Sequence, residues 1–291
     1  LEQLKDGSGN PTGWRYTTSN DEVELYNIVG NLLSITNRDG HTQTLTYSDG
    51  STNTNGGYVL DANGNSTGTV LPAGLLIRAA NPSGQVLKFG YDARGRMVKV
   101  TIPDGNFIHY AFDALDNLTA VIYPDSTPGD LTDNPRRTYI YNEVANTSGK
   151  DFPHAITGIV DENNTRFTTY RYDTGYRAIN SELGPNMAGG PVEQYGLSFG
   201  SNATTVTDPL GASRTYSFQV LHGLYKITGT NQPGGSGCGP AASNMTYDAN
   251  GNVKTRTDFN GNTTWYDYDL SRNLETVRIE AYATPLARTI N

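Results

Sequence analysis

"YDANGNVKTRTDFNGNTTWYDYD", Tyr247–Asp269, writes the same punctuation twice. It opens and closes on Tyr-Asp, and Asn250-Gly251 and Asn260-Gly261 lie inside it. Glycine after Asn or Asp accepts the positive φ that a tight hairpin turn demands. Turns this close leave about five to seven residues between them, the length of one strand.

The pattern extends outward. "YNIVGNLLSITNRDGHTQTLTY" starts at Tyr26 and "YDARGRMVKVTIPDGNFIHYAF" at Tyr91. Each of the three segments returns to an aromatic 21 residues after its opening Tyr, at Tyr47, Phe112 and Tyr268. Gly30, Gly95 and Gly251 hold one shared position, Gly40, Gly105 and Gly261 a second, and Thr36, Thr101 and Thr257 a third. Asp39, Asp104 or Asn260 precedes the second glycine. A fixed period of this kind marks a repeat architecture. Val98, Val100 and Ile102 alternate with Met97, Lys99 and Thr101, and Ile108, Tyr110 and Phe112 with Phe107, His109 and Ala111. Period two predicts strands. The closing aromatic shares a face with the residue two before it, so successive units are expected to stack aromatics in rows across the sheet.

Looser copies end at Asp92, Asp173 (through Tyr172), Phe218 and Asp248. Residues 48–70, 124–136 and 181–191 interrupt the period and read as inserted loops, and no long segment has helical spacing. The reading is all-β: antiparallel hairpins in a single array over 1–291, a piece of a longer chain. Ordering one 21-residue unit costs roughly 20–40 kcal/mol at about 1–2 per residue. A lone hairpin buries too little to offset that, so stability must come from stacked neighbours.

Composition agrees. Of 291 residues, 17% are charged and 35% hydrophobic, with 33 Gly, 19 Tyr and 10% aromatics. Disorder would combine high charge with few aromatics. Strands wet on one face give an ordered chain with a thin core. The net charge is -8 and no basic run appears, which argues against a nucleic-acid surface. No apolar run approaches the roughly 20 residues of a membrane helix. Cys238 is the only cysteine, so no internal disulfide can form.

Tyr-Asp, a Gly turn, a strand, an Asp/Asn-Gly turn and a second strand into Tyr-Asp resemble Rhs repeats, also called YD repeats. "GWRYTT" at Gly13 and "YDLSRNLETVRIEAYATPLARTI" from Tyr268 also resemble bacterial Rhs core sequence. The resemblance runs over nearly the whole chain, best at 14–47, 87–125, 165–173 and 245–280. It implies a spiralling ribbon that forms all or part of a hollow β shell, as in bacterial Rhs toxins, Tc-toxin C components and teneurins. It further implies a secreted or cell-envelope protein whose shell encapsulates a C-terminal toxin or cargo polypeptide. The partners implied are that cargo and the rest of a longer chain, with self-association through open sheet edges. On this reading Tyr26, Tyr47, Tyr91, Phe112, Tyr172, Tyr247 and Tyr268 are structural joints. Gly30, Gly40, Gly95, Gly105, Gly251 and Gly261 are structural turns.

The family's self-cleavage segment is built on Asp-Pro-x-Gly-Leu. Asp208-Pro209-Leu210-Gly211 approaches it, but Ala212 follows and the motif lies mid-array, so a plain turn is the preferred reading. Asp248, Asn250 and Asn252 alternate like calcium ligands, as do Asp61, Asn63 and Asn65. A calcium loop of the helix-loop-helix kind places Gly sixth and Glu twelfth; here Gly is fourth and Phe259 twelfth. No metal or cofactor is expected. His41, His109, His154 and His222 are scattered, with His109 expected as lining or surface. Cys238 lies in a Gly-rich loop as a remote candidate nucleophile. The reading is therefore structural rather than enzymatic. The alternatives are an adhesion or filament module that uses its Tyr, Asn and Thr surface, and an enzyme acting through Asp208 or Cys238.

Overall fold

The computed structural model describes residues 1–52, 57–127, 131–184 and 192–291. They form 25 strands and one short 3-10 turn, Val144–Asn146. No helix among them is long and apolar enough to cross a membrane. The chain divides into two compact units, Leu1–Ile140 with Ile159–Thr165, and Tyr141–Gly158 with Arg166–Asn291.

In the first unit each strand pairs antiparallel with the next, from Glu2–Lys5 to Arg136–Tyr141. One step is skipped. Thr42–Tyr47 pairs directly with Leu76–Ala80, and the segment between them folds into a separate hairpin of Tyr58–Leu60 and Ser66–Val70. The interruption expected at 48–70 therefore carries strands of its own, with 53–56 outside the described residues. In the second unit the same strand-to-next-strand order runs from Arg166–Tyr172 to Arg288–Ile290. The interruption expected at 181–191 begins later than its boundary: Ser181, Glu182 and Leu183 complete the strand Ala178–Leu183. Residues 185–191, and 128–130 of the interruption at 124–136, lie outside the described residues.

Threonine explains part of the composition. The repeat threonines Thr36 and Thr257 face Thr42 and Thr263 across their turns, with hydroxyl oxygens 2.9 Å apart in both. Thr205 meets Thr215 the same way at 2.8 Å. Such cross-strand pairs stabilise a sheet without a deep core. The core is indeed thin. Its buried apolar side chains are Val59, Leu71, Val98, Val100, Ala120 and Ile122 in the first unit and Ala155 in the second.

Candidate functional site

The structure builds the joints in two linked parts, a bulge and a turn. At each joint aromatic the next strand carries one unpaired extra residue. Tyr26 pairs with Leu32 while Leu25 pairs with Ser34, leaving Leu33 over. Tyr47 leaves Ile77, Tyr91 leaves Val98 and Phe112 leaves Thr119. Tyr172 leaves Ile179, Tyr247 leaves Lys254 and Tyr268 leaves Thr276. A bulge bends its strand and raises the local right-handed twist.

The tyrosine hydroxyls anchor this geometry. Tyr91 donates to the Leu76 carbonyl at 2.7 Å, Tyr172 to Ile156 at 2.9 Å and Tyr247 to Ile227 at 2.6 Å. Burial pushes all three phenols above their ordinary value. The expected aromatic rows do not form: no two joint aromatics are in ring contact among the described residues. Equivalent joints lie two strands apart, about 9–10 Å, beyond the roughly 4.5–7 Å of ring contact. Cations fill some of the spaces, with Arg96 over Phe112 at 4.7 Å and Lys226 over Tyr247 at 5.8 Å.

The turn follows at once. Asp92 Oδ1 accepts the backbone N–H groups of Arg94 and Arg96, both at 2.9 Å. The Asp92 N–H donates to the Arg96 carbonyl and the Gly95 N–H to the Asp92 carbonyl, closing a three-residue loop. The loop's last residue must be left-handed, and Gly95 has φ 75°. Gly30, Gly40, Gly105, Gly251 and Gly261 hold the same position with positive φ. Asp21, Asp116 and Asn164 replace glycine there with the residue types that tolerate this region best, and Tyr176 holds the same position at φ 66°.

The calcium-like alternations are this turn. Asp248 Oδ1 accepts from the N–H of Asn250 and Asn252, and Asp61 Oδ1 from Asn63 and Asn65. Their Oδ1 atoms serve the backbone, and the Asn250 and Asn252 amides donate to Asn273 Oδ1 of a following turn. Asp208 has the same bonds, accepting from Leu210 and Ala212 with Gly211 left-handed, and Pro209 sits inside the loop. Cys238 is exposed, its backbone closed on Gly235. His222 Nε2 bonds the Ala249 carbonyl at 2.8 Å.

Two clusters escaped the sequence reading. His109, expected as lining or surface, is buried at 1% exposure. The inserted hairpin covers it: a Cβ on Gly64 would stand 2.7 Å from His109 Nε2, which has no hydrogen-bond partner. Burial, then the nearby Lys99, lower the pKa of His109, and Asp61 opposes them. Glu143 and Arg166 form a bidentate pair at 2.8 and 2.7 Å, and Arg166 also donates to the Thr157 carbonyl. Arg166 holds the Glu143 carboxyl at about 2. A side chain at Gly158 would overlap the Arg166 guanidinium, so this glycine makes the ion pair possible. Neither cluster has a local signature, since each joins segments distant in sequence.

Residues 71–106 match the RHS Repeat family model, the stretch that carries the Tyr91 joint and the Gly95 and Gly105 turns. Residues 71–106 thus carry an Rhs repeat. The same bulge recurs at the other joint aromatics. A search of curated proteins finds no match. Among solved structures, a crystal structure of TcdB2-TccC3-Cdc42 is similar over 99% of this chain and 16% of that chain, at 12% identity and TM-score 0.46. The Photorhabdus luminescens Tc holotoxin pore is similar over 90% of this chain and 13% of that one, at 13% identity and TM-score 0.41. The chain thus spans about one sixth of the length of the first of these.

Proposed function

We propose that this chain is a segment of an Rhs-repeat β wall that encloses a polypeptide made as part of the same longer chain, in a secreted or cell-envelope protein. The observation that carries this reading is the joint. Each named aromatic stands at a bulge of the same kind, so every repeat adds twist in the same sense. A ribbon biased one way at regular intervals is suited to wrapping. A thin core and a hydroxyl- and amide-rich surface suit a wall that touches a chain without gripping it. The work is mechanical, and the joint and turn residues serve as scaffold.

The test is protection. The full-length protein, with the polypeptide that follows these repeats, is treated with protease in native buffer. The reading requires the following polypeptide to survive as long as the repeats do, and to be digested when Tyr91→Ala and Tyr247→Ala loosen two joints. Digestion of that polypeptide at the rate of a free linker, with the repeats intact, would overturn it.

A further inference from the structure

Beside the inserted hairpin the first unit holds a groove of about 1290 Å³. Its position follows from register. Gly90, Lys99 and His109 form one cross-strand row, and the hairpin lies on it, with Leu60 against Gly90 and Gly64 against His109. Two residues along the same face runs the next row, Arg78–Lys88–Thr101. There the hairpin no longer covers the sheet. Tyr58, Leu60 and Leu71 stand as one wall of the groove, with Arg78, Lys88 and Val86 on its floor.

Arg78 and Lys88 are directly opposite one another, and both are exposed. Like charges facing across a strand pair destabilise a sheet. Elsewhere the sheet avoids this, as where Lys254 meets Asp267 at 3.1 Å and Arg171 meets Glu182 at 2.7 Å. No carboxylate pairs with Arg78 or Lys88 among the described residues. The one acid on the rim, Asp104, is occupied by the backbone and side-chain amides of Asn106. The cation pair is therefore left for a ligand.

The walls decide which kind. Tyr58 and Leu60 on the wall and Val86 on the floor offer apolar surface beside the cations, which a hydrated phosphate cannot use. A ligand must bring apolar burial as well as negative charge. In an extended polypeptide, carboxylates two residues apart are separated by about 6–7 Å, within reach of two long cationic side chains whose Cβ atoms lie about 5 Å apart. We propose that this groove binds an extended polypeptide segment in which acidic residues alternate with apolar ones. The inference goes beyond the wall reading and does not depend on enclosure.

The experiment uses residues 1–291 and a fluorescent eight-residue peptide of alternating Leu and Asp. Binding is expected to weaken with added salt and to fall at least about tenfold in the Arg78→Gln/Lys88→Gln double variant. The variant's denaturation midpoint should equal or exceed the parent's, because a repulsion has been removed. An alternating Leu-Lys peptide should not bind, and millimolar phosphate should not displace the Leu-Asp peptide. Equal affinity in parent and variant, equal binding of the Leu-Lys peptide, or displacement by phosphate would each overturn the proposal. Loss of peptide binding alongside intact protease protection in the full-length protein would leave the wall reading standing.

Discussion

Asp258 Oδ1 accepts the N–H groups of Asn260 and Asn262. The Asn262 side-chain amide, followed by those N–H groups, holds the carboxyl below its ordinary value. A depressed carboxyl stabilises the fold above its unfolded value of 3.8, and that contribution is lost as pH falls through the folded value. Asp258→Ala should lower the urea unfolding midpoint at pH 7, because two turn N–H groups lose their acceptor. Asp258→Asn should cost far less, because Asn27 and Asn37 already perform the same task in their own turns. Equal losses for the two variants would mean that the charge, not the acceptor, matters. Gly105 has φ 92° and open space around it, so Gly105→Ala tests backbone strain alone. Its cost should be about 1–2 kcal/mol, against less for Gly105→Asn. The turn glycines were legible in sequence because the demand on them is local. The Oδ1 cradle was half legible: with Gly fourth and Phe259 twelfth the Asp-x-Asn-x-Asn spacing favours a turn over a cation loop, but which atoms bond emerges only in three dimensions.

The inserted hairpin is the element whose role sequence could not supply. Its interruption of the period marked it, but nothing in residues 57–71 says which row of the sheet it covers. Gly90 does so only in three dimensions, where a Cβ would stand 2.3 Å from Leu60 Cδ1. Gly90→Val should lift the hairpin, seen as faster amide exchange across 57–71 with protection retained in Met97–Thr101 and Phe107–Phe112. His109 gives the hairpin a pH dependence. With its pKa lowered by burial and by Lys99 against the pull of Asp61, the docked state binds fewer protons than the undocked one. Docking is then strongest above about pH 6.5 and weakens as pH falls, by at most about 1.4 kcal/mol per unit. Amide exchange of Tyr58–Leu60, corrected for intrinsic rate, should quicken between pH 7.5 and 5, and His109→Gln should abolish that change. The Glu143–Arg166 pair responds at lower pH. Its contribution is present above about 4.5 and is lost as pH falls toward about 2. Glu143→Gln should lower the urea midpoint at pH 6 and leave less to lose at pH 2.5.

At the scale of the molecule, the 21-residue period was readable because each unit repeats the same local demands. The bulges were hidden, since an extra unpaired residue leaves the alternation of a short strand almost unchanged. Stability in such an array is shared between neighbours. Ending the chain before Tyr247 should therefore lower the denaturant midpoint and the m-value together rather than abolish folding. The bulges also set a rule for how a gene of this kind can change length. A shift of one residue in pairing turns every later side chain to the opposite face. Here each joint consumes one odd residue, and most then restart the count at an Asp or Asn turn. Excising the 21 residues from one joint to its equivalent rejoins like to like, and everything downstream keeps its facing. Excising 20 inverts the ribbon from that point until a bulge is lost or gained. Growth and shrinkage by unequal crossing-over are thus quantised in whole repeats, with odd lengths admitted only where the chain has already left the ribbon, as between Tyr47 and Leu76.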